Sequence, residues 1–273
     1  MSKTILITGA GSGLGKGTAI GLAQKGHKVI ATVENWPQVS LLKNAAKEAG
    51  VDLIIEKLEY TNESDHETIL RKYGIDIDIF VANAATGETG PAAEIPLERF
   101  RHVFEINVFR TLELSQKFAA IFAKRRNGKI IVVSSTAGLR TYPFLAPYVA
   151  SKHAVEAIFQ LMQLELEPLG VQVATINPGP FNTGFNDRMY DTVDQWFQAG
   201  KNFTPEQPLR EMQAMFAKEG FQYDPQGMVD VMVDVILKDT HKFRNVFPEE
   251  FGDDVKKYQE DLWNLEVSPK KKK

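Results

Sequence analysis

Tyr148 and Lys152 stand four residues apart in a segment that reads as helix, so their side chains fall on one face of it. A free tyrosine has a pKa of about 10 and is a poor base near neutrality. A neighbouring ammonium stabilises the phenolate and draws that value down. Such a pair can exchange a proton with the oxygen of an alcohol or ketone. Alone the pair means little, because a tyrosine and a lysine at this spacing are commonplace on helix surfaces. A second group of residues adds to it. Thr8-Gly9-Ala10-Gly11-Ser12-Gly13-Leu14-Gly15 follows an apolar run and opens a helix. Glycines in such a turn let backbone N–H groups approach a pyrophosphate, and the helix N-terminus adds a favourable potential. A plain strand-to-helix turn is the bland alternative; its place right after the first strand of an alternating chain favours a dinucleotide. A triphosphate-binding P-loop is argued against by two mismatches. Ala10 stands where its first glycine belongs, and Gly17 follows Lys16 where a Ser or Thr should hold magnesium.

These groups must be positioned by a framework, and the pattern of apolar runs supplies one. Strands are expected at Lys3 to Thr8, His27 to Thr32, Val51 to Leu58, Asp78 to Val81, Lys129 to Ser134 and Val171 to Ile176. Helices are expected from the glycine turn to about Lys25, from Gln38 to Ala49, from Leu97 to Arg126 and from Pro147 to Leu169, the last closed by Gly170. Strands apolar on both faces, alternating with helices, indicate a doubly wound α/β fold whose parallel sheet is covered on both sides. The stretch from about 180 to 225 is rich in Phe, Met, Asn and Gln and lacks a sheet pattern. It follows a strand end, where loops carry ligands in such folds, and reads as a helical lid over the substrate. Residues 1–268 read as one domain and 269–273 as a solvated basic tail containing Lys270 to Lys273.

Composition bounds the rest. The chain has 273 residues, 43% of them hydrophobic and 25% charged, with a formal charge of −3. Nothing suggests the basic stripe of a nucleic-acid binder. The absence of cysteine removes disulfides, thiolate catalysis and cysteine-ligated metals, and no other metal site is expected. No window approaches the roughly 20 apolar residues of a membrane span, and the opening apolar run is too short for a signal core. These readings point to the cytoplasm. The cations Lys124-Arg125-Arg126 could attract an acidic carrier, but positive charge at a helix C-terminus is stabilising in itself.

Ser135 lies thirteen residues before Tyr148, at the end of the fifth strand. With it, the ordered set becomes specific. Thr8-Gly9 with Gly13 and Gly15, Asn83-Ala84, Asn107, Ser135, Tyr148 with Lys152, and Pro178-Gly179 together resemble the ordinary single-domain branch of the short-chain dehydrogenase/reductase family, over roughly residues 3 to 185. The resemblance implies a Rossmann-type, three-layer α/β/α fold and hydride transfer between a nicotinamide cofactor and an alcohol or carbonyl. It implies that Tyr148 is the proton donor or acceptor and that Lys152 lowers its pKa and holds the nicotinamide ribose. Ser135 would bind the substrate oxygen, and Asn107 would support a proton-relay water, with a mere helix bend as its alternative role. Asn83 and Ala84, the turn residues Gly9, Gly11, Ser12, Gly13, Leu14 and Gly15, and Pro178, Gly179 and Thr183 would border the cofactor. Ser134 reads as structural. Two departures stand out. Ala85 replaces a common glycine after Asn83-Ala84, and Glu59 stands where an Asp near the adenine is usual.

Cofactor choice is read at the end of the second strand. Glu34 can bind the adenosine ribose hydroxyl of NAD and repel the extra phosphate of NADP. Ser12, where NADP enzymes often carry a cation, is neutral, so NAD is favoured. Phe181, Phe185, Met189, Tyr190, Trp196, Phe197, Phe203, Met212, Met215 and Phe216 crowd the lid, and Tyr142, Pro143 and Phe144 lie between Ser135 and Tyr148. They suggest an apolar pocket for a small alcohol or ketone, or simply lid packing or a subunit contact. The resemblance implies a homodimer or homotetramer, paired through the helices around 107–126 and 148–169. A dehydratase or epimerase on the same fold, a carrier-linked ketoacyl reductase, and a non-redox dinucleotide-binding regulator stay open, the last disfavoured by the joint presence of Ser135, Tyr148 and Lys152.

Overall fold

A computed structural model describes residues 2–268; the basic tail at 269–273 lies outside the described residues. Seven parallel strands form one sheet in the order β3-β2-β1-β4-β5-β6-β7. They are β1 (Thr4–Ile7), β2 (Lys28–Val33), β3 (Ile54–Lys57), β4 (Ile79–Ala82), β5 (Gly128–Val133), β6 (Val171–Pro178) and β7 (Arg244–Phe247). Successive side chains of a strand point to opposite faces, and here both faces are apolar. Ile5 and Ile7 of β1 pack on one side with Ala19, Leu22, Val39 and Met232. Leu6 packs on the other with Ile69, Phe118 and Phe159. The first layer is therefore α1 (Gly13–Gln24), α2 (Trp36–Glu48) and α9 (Pro225–Leu237), and the second is α3 (Glu63–Tyr73), α5 (Thr111–Arg125) and α6 (Ala146–Leu166). The stacked rings of Phe80 and Phe118, 4.5 Å apart, join β4 to α5.

β1 pairs with both β2 and β4, so the chain direction of the winding reverses beside it. That reversal opens a crevice at the carboxyl ends of β1 and β4. The strands and helices expected from sequence are present, with ends displaced by a few residues. Sequence pattern passed over α3, α9, β7 and the last helix, α10 (Glu250–Trp263). The long helical region 97–126 is broken. α4 (Leu97–Phe104) and α5 are joined by a wider, π-type turn over Glu105–Arg110 that contains Asn107. Arg125 donates to the carbonyls of Asn127, Ile75 and Ile77, beyond the last turn of α5.

The segment after β6 is helical, with α7 (Phe185–Asp191) and α8 (Glu206–Ala217). Its two ends are stitched together: Asn182 N–H donates to the Tyr223 carbonyl and Tyr223 N–H to that of Pro180, each at 2.9 Å. Among the described residues no helix is long and apolar enough to cross a membrane, and no cluster of three or more His, Asp or Glu is arranged to hold a metal.

Gly17, the residue that spoils the P-loop pattern, has a packing role. A Cβ there would lie 2.6 Å from Val229 Cγ2, and one at Gly21 would lie 2.9 Å from Val233 Cγ2, so the two glycines let α1 seat directly on α9. Gly17→Val forces these helices apart. Overpacking of this kind costs about 1–3 kcal/mol, and urea denaturation of the variant should show a loss in that range. An unchanged midpoint would mean that α9 shifts freely.

Candidate active site

The glycine turn lies where β1 ends. Gly9 has φ +66°, and a Cβ on it would lie 2.8 Å from Ala84 Cα. A Cβ on Gly15 would meet the Gly9 carbonyl oxygen at 2.4 Å. Bulk is excluded at both positions by neighbouring backbone. Ser12 precedes α1 in an extended conformation and its side chain does not cap the helix. The first-turn N–H groups of α1 are thus left without a side-chain acceptor, and Gly13, Leu14 and Gly15 line a cavity of about 890 Å³. Thr183 closes in from the other side, where a Cβ on Gly13 would meet it at 3.0 Å.

Asn83 ties β4 to β1. Its Nδ2 donates to the carbonyls of Thr8 at 2.9 Å and Gly9 at 3.1 Å, while the N–H groups of Asn83 and Ala84 both donate to Thr8 Oγ1. Ala85 is compatible with this turn, because its φ is not positive and no glycine is required. At the end of β2, Glu34 is exposed on the cavity rim. Gln38 folds back beside it, its Oε1 accepting from Glu34 N–H at 3.0 Å, and it fills the space over Gly11. Pro178, Gly179 and Ser12 also border the cavity. Glu59 does not. Its carboxylate accepts from the Thr61 N–H and hydroxyl, and Leu58 and Tyr60 face the cavity instead. Both bonds go to Oε1 and hold the carboxylate on Thr61, outside the cavity lining.

Ser135, Tyr148 and Lys152 converge on the opposite wall. α6 carries Tyr148 and Lys152 on one face as the spacing requires, and its first turn holds Pro147, whose missing N–H costs nothing there. Ser135 follows β5. Its Oγ accepts from Ala137 N–H at 3.1 Å and reaches the Pro178 carbonyl only at 3.5 Å, so its proton is weakly engaged. Ser134 beside it is buried, and its hydroxyl has no hydrogen-bond partner. Lys152 Nζ donates to the Val133 carbonyl at 2.9 Å and lies 5.7 Å from the centre of the Tyr148 ring. Asn107 stands behind this wall and outside the cavity lining. Its Oδ1 accepts from Thr86 N–H, and its Nδ2 donates to the Thr86 carbonyl and Ser151 Oγ. Both amide protons are spent on protein groups, so the side chain itself has none to give a relay water.

Burial decides the electrostatics. It pushes Tyr148 up to about 12, against a smaller downward pull from the Ser135 hydroxyl. It pushes Lys152 down to about 8, against an upward pull from Glu156. Desolvation of the phenolate thus sets the direction of the Tyr148 shift, opposite to the lowering expected from a neighbouring ammonium. Tyr148 stands in the site as a neutral phenol, the form that donates a proton.

Around these groups the cavity is apolar. Phe185, whose ring centre is 5.6 Å from that of Tyr148, lines it with Met189, Tyr190, Met212 and Phe216 from the helical segment and Tyr142 from before α6. Other aromatics of that segment point elsewhere. Trp196 and Phe197 pack with Val193, Leu209 and Phe144, and Phe203 is exposed. Sequence reasoning missed Gln38, His102 and Phe251, all of which line the cavity. Phe251 comes from α10, far along the chain, and carries no local signal. The residues present fit a dinucleotide: a glycine cradle that side chains would fill, unclaimed helix amides and an apolar compartment beside a proton donor.

The chain matches the model for short chain dehydrogenases over residues 3–194. It is 33% identical over 187 residues to an NADPH-dependent 3-dehydrocapnine reductase of Ornithobacterium rhinotracheale, covering 65% of this chain and 65% of that protein, just under two thirds of its length. It is 30% identical over 242 residues to retinol dehydrogenase 8 of Bos taurus, covering 86% of this chain and 78% of the relative. A short chain dehydrogenase/reductase from Burkholderia phymatum, solved in complex with NAD, has a TM-score of 0.80 at 21% identity and covers 98% of this chain and 97% of that one; this likeness concerns the fold alone. A family match over most of the chain, on a seven-stranded parallel sheet with a glycine turn after its first strand, places the protein in the short-chain dehydrogenase/reductase family.

Proposed function

We propose that this chain is a nicotinamide-dependent oxidoreductase acting on the alcohol or carbonyl group of an apolar small molecule. One observation carries the reading: Ser135, Tyr148 and Lys152 share a single cavity with the glycine-lined start of α1. A nicotinamide dinucleotide, when bound, supplies or accepts the hydride. Tyr148 gives a proton to the substrate oxygen in reduction or takes it back in oxidation. Ser135 Oγ, with its proton weakly engaged, holds that oxygen. Lys152 favours the phenolate that forms and would hold the nicotinamide ribose. The N–H groups of Gly13, Leu14 and Gly15 would receive the pyrophosphate, and Asn83, Ala84, Pro178, Gly179 and Thr183 would border the dinucleotide. Asn107 keeps the segment after β4 in place through Thr86. In this reading residues 1–268 act as one unit, and the helical segment at about 180–225 covers the substrate and excludes water.

NAD is the favoured cofactor, although a relative is named as NADPH-dependent. Glu34 is the charged side chain at the end of β2, and Val33 beside it is buried. The assembly proposed is a homodimer or homotetramer, because Phe109, Leu161 and Leu164 are exposed apolar groups on the π-type turn and α6. A cytoplasmic home belongs to the same proposal.

Three outcomes test it. Tyr148→Phe keeps the ring among Phe185, Val149 and Tyr190 and removes only the hydroxyl. Turnover of a panel of alcohols and ketones, followed by nicotinamide absorbance, should fall about 10²–10⁴-fold with cofactor binding retained. Near-normal turnover would end the mechanism.

Glu34→Arg should narrow or reverse the cofactor preference. A 2′-phosphate facing Glu34 meets a like charge worth about 1–4 kcal/mol, roughly tenfold or more in preference. The ratio of kcat/KM with NAD and NADP for both proteins measures it, and wild-type preference for NADP would refute the assignment.

The pH profile has a fixed sign. Lys152 is protonated below about 8 and neutral above. The ammonium assists proton donation by Tyr148, so kcat/KM for carbonyl reduction should be flat at lower pH and fall as pH rises through about 8. A rate that climbs through this window would contradict the roles given to the pair.

A further inference from the structure

Glu156 is charged, almost wholly buried at 3% exposure, and unused by the mechanism above. It lies on α6 one turn beyond Lys152 and two beyond Tyr148, so the three share a face. Its two oxygens reach different elements. Oε1 accepts from Asn177 Nδ2 at 2.6 Å, and Oε2 accepts from Arg244 Nε of β7 at 2.9 Å, with Thr175 Oγ1 at 3.5 Å. Asn177 Nδ2 also reaches the Ser135 carbonyl at 3.3 Å. One carboxylate thus links the helix that bears Tyr148 and Lys152, the end of β6 just before Pro178-Gly179, and the backbone of Ser135. A charge taken this far from water is costly unless it is well paired and hydrogen-bonded. Packing alone would be met by an apolar residue of similar volume.

We infer that Glu156 is a positioning residue that supports the charge of Lys152 and, through Asn177, the backbone of Ser135. The inference rests on the oxidoreductase reading for its consequence in turnover, but not for its effect on Lys152. The charged groups facing Lys152 and Glu156 are few. On α6 they are the pair themselves, beside the neutral phenol of Tyr148. The end of β5 and the turn after it present the Val133 carbonyl, Ser134, Ser135 and Thr136; β6 presents Thr175 and Asn177; the π-type turn presents Asn107 through Ser151. None of these is titratable. β7 contributes Arg244, and α4, packed on the same helix, leaves Arg101 and His102 exposed. Glu156, one turn along the same helix face, is the anion whose charge raises the Lys152 pKa that burial lowers.

Glu156→Gln keeps the shape and, through its Oε1, the hydrogen bond from Asn177, while it removes the charge together with the acceptor for Arg244 Nε. A nearby opposite charge shifts a pKa by about one unit or more, so Lys152 should lose its proton about one pH unit earlier. The alkaline fall in kcat/KM for carbonyl reduction should move down by the same amount. Turnover at pH 8 should drop several-fold, while the Kd for the dinucleotide stays within about twofold. Arg244→Gln removes the competing cation, so the same fall should move up. A purely structural role would lower Tm in both variants and move the pH profile in neither. The Lys152 side-chain resonance, followed through pH in protein carrying 13C-labelled lysine, reads the same shift without substrate. It decides the matter even if no alcohol or ketone is turned over, an outcome that would count against the oxidoreductase reading alone. An unmoved Lys152 titration in Glu156→Gln overturns the inference. If that variant does not fold, an unmoved titration in Arg244→Gln overturns it equally.

Discussion

The sheet is buried on both faces, and most of what the molecule does follows from that constraint. β1, β4, β5 and β6 place apolar side chains above and below, in two separate cores. Between them the strands leave no room for a ligand, and Lys129 near the start of β5 carries its ammonium out to the carbonyls of Ile236 and Lys238. Polar function is displaced to the strand ends, and because all seven strands are parallel, their carboxyl ends lie along one edge. Thr8, Asn83, Ser135 and Asn177 each stand at or just beyond such an end. Thr8 and Asn83 bond to each other across the ends of β1 and β4, and Asn177 bonds to the Ser135 carbonyl across the ends of β6 and β5.

Along that edge, desolvation does more than pairing. The same burial that excludes water from Tyr148 raises its pKa and lowers that of Lys152, so each group is held toward its neutral form. The phenol is thereby kept in the form that donates a proton, and the amine gains or loses one within reach of neutrality. The pair needs a fixed frame to keep this balance. Val133 offers Lys152 a carbonyl, and the Glu156–Arg244 ion pair lies behind it, stabilised on one side by Asn177 and half open to water on the other.

The cavity divides by chemistry along its length. At the α1 end it is backbone: glycines, uncapped amides and the carbonyls that Asn83 holds. At the other end it is Phe, Met and Tyr side chains from a segment whose two ends are stitched side by side at Asn182 and Tyr223. The first end suits a ligand recognised by its phosphates, whose geometry is constant. The second suits a partner recognised by shape and apolar area, and such surfaces are built from side chains that can differ without disturbing the sheet.

Periodicity and glycine placement by themselves determined the alternation of strands and helices, the glycine turn, and the fact that Tyr148 and Lys152 share a helix face, because these depend on residues within one or two turns of each other. Glu34 at the rim and the helical character of the segment after β6 were legible for the same reason. Other features depended on contacts between distant parts of the chain. Arg244 meets Glu156 across 88 residues, and Phe251 enters the cavity from α10, and no local pattern marks either. Glu59 looked suited to an adenine, and only the fold shows its carboxylate held on Thr61; likewise only the fold shows the Asn107 side chain bonded to Thr86 and Ser151. The Tyr148 pKa belongs with these. Sequence shows a lysine beside a tyrosine, whereas the sign of the shift depends on how completely the fold removes water from both.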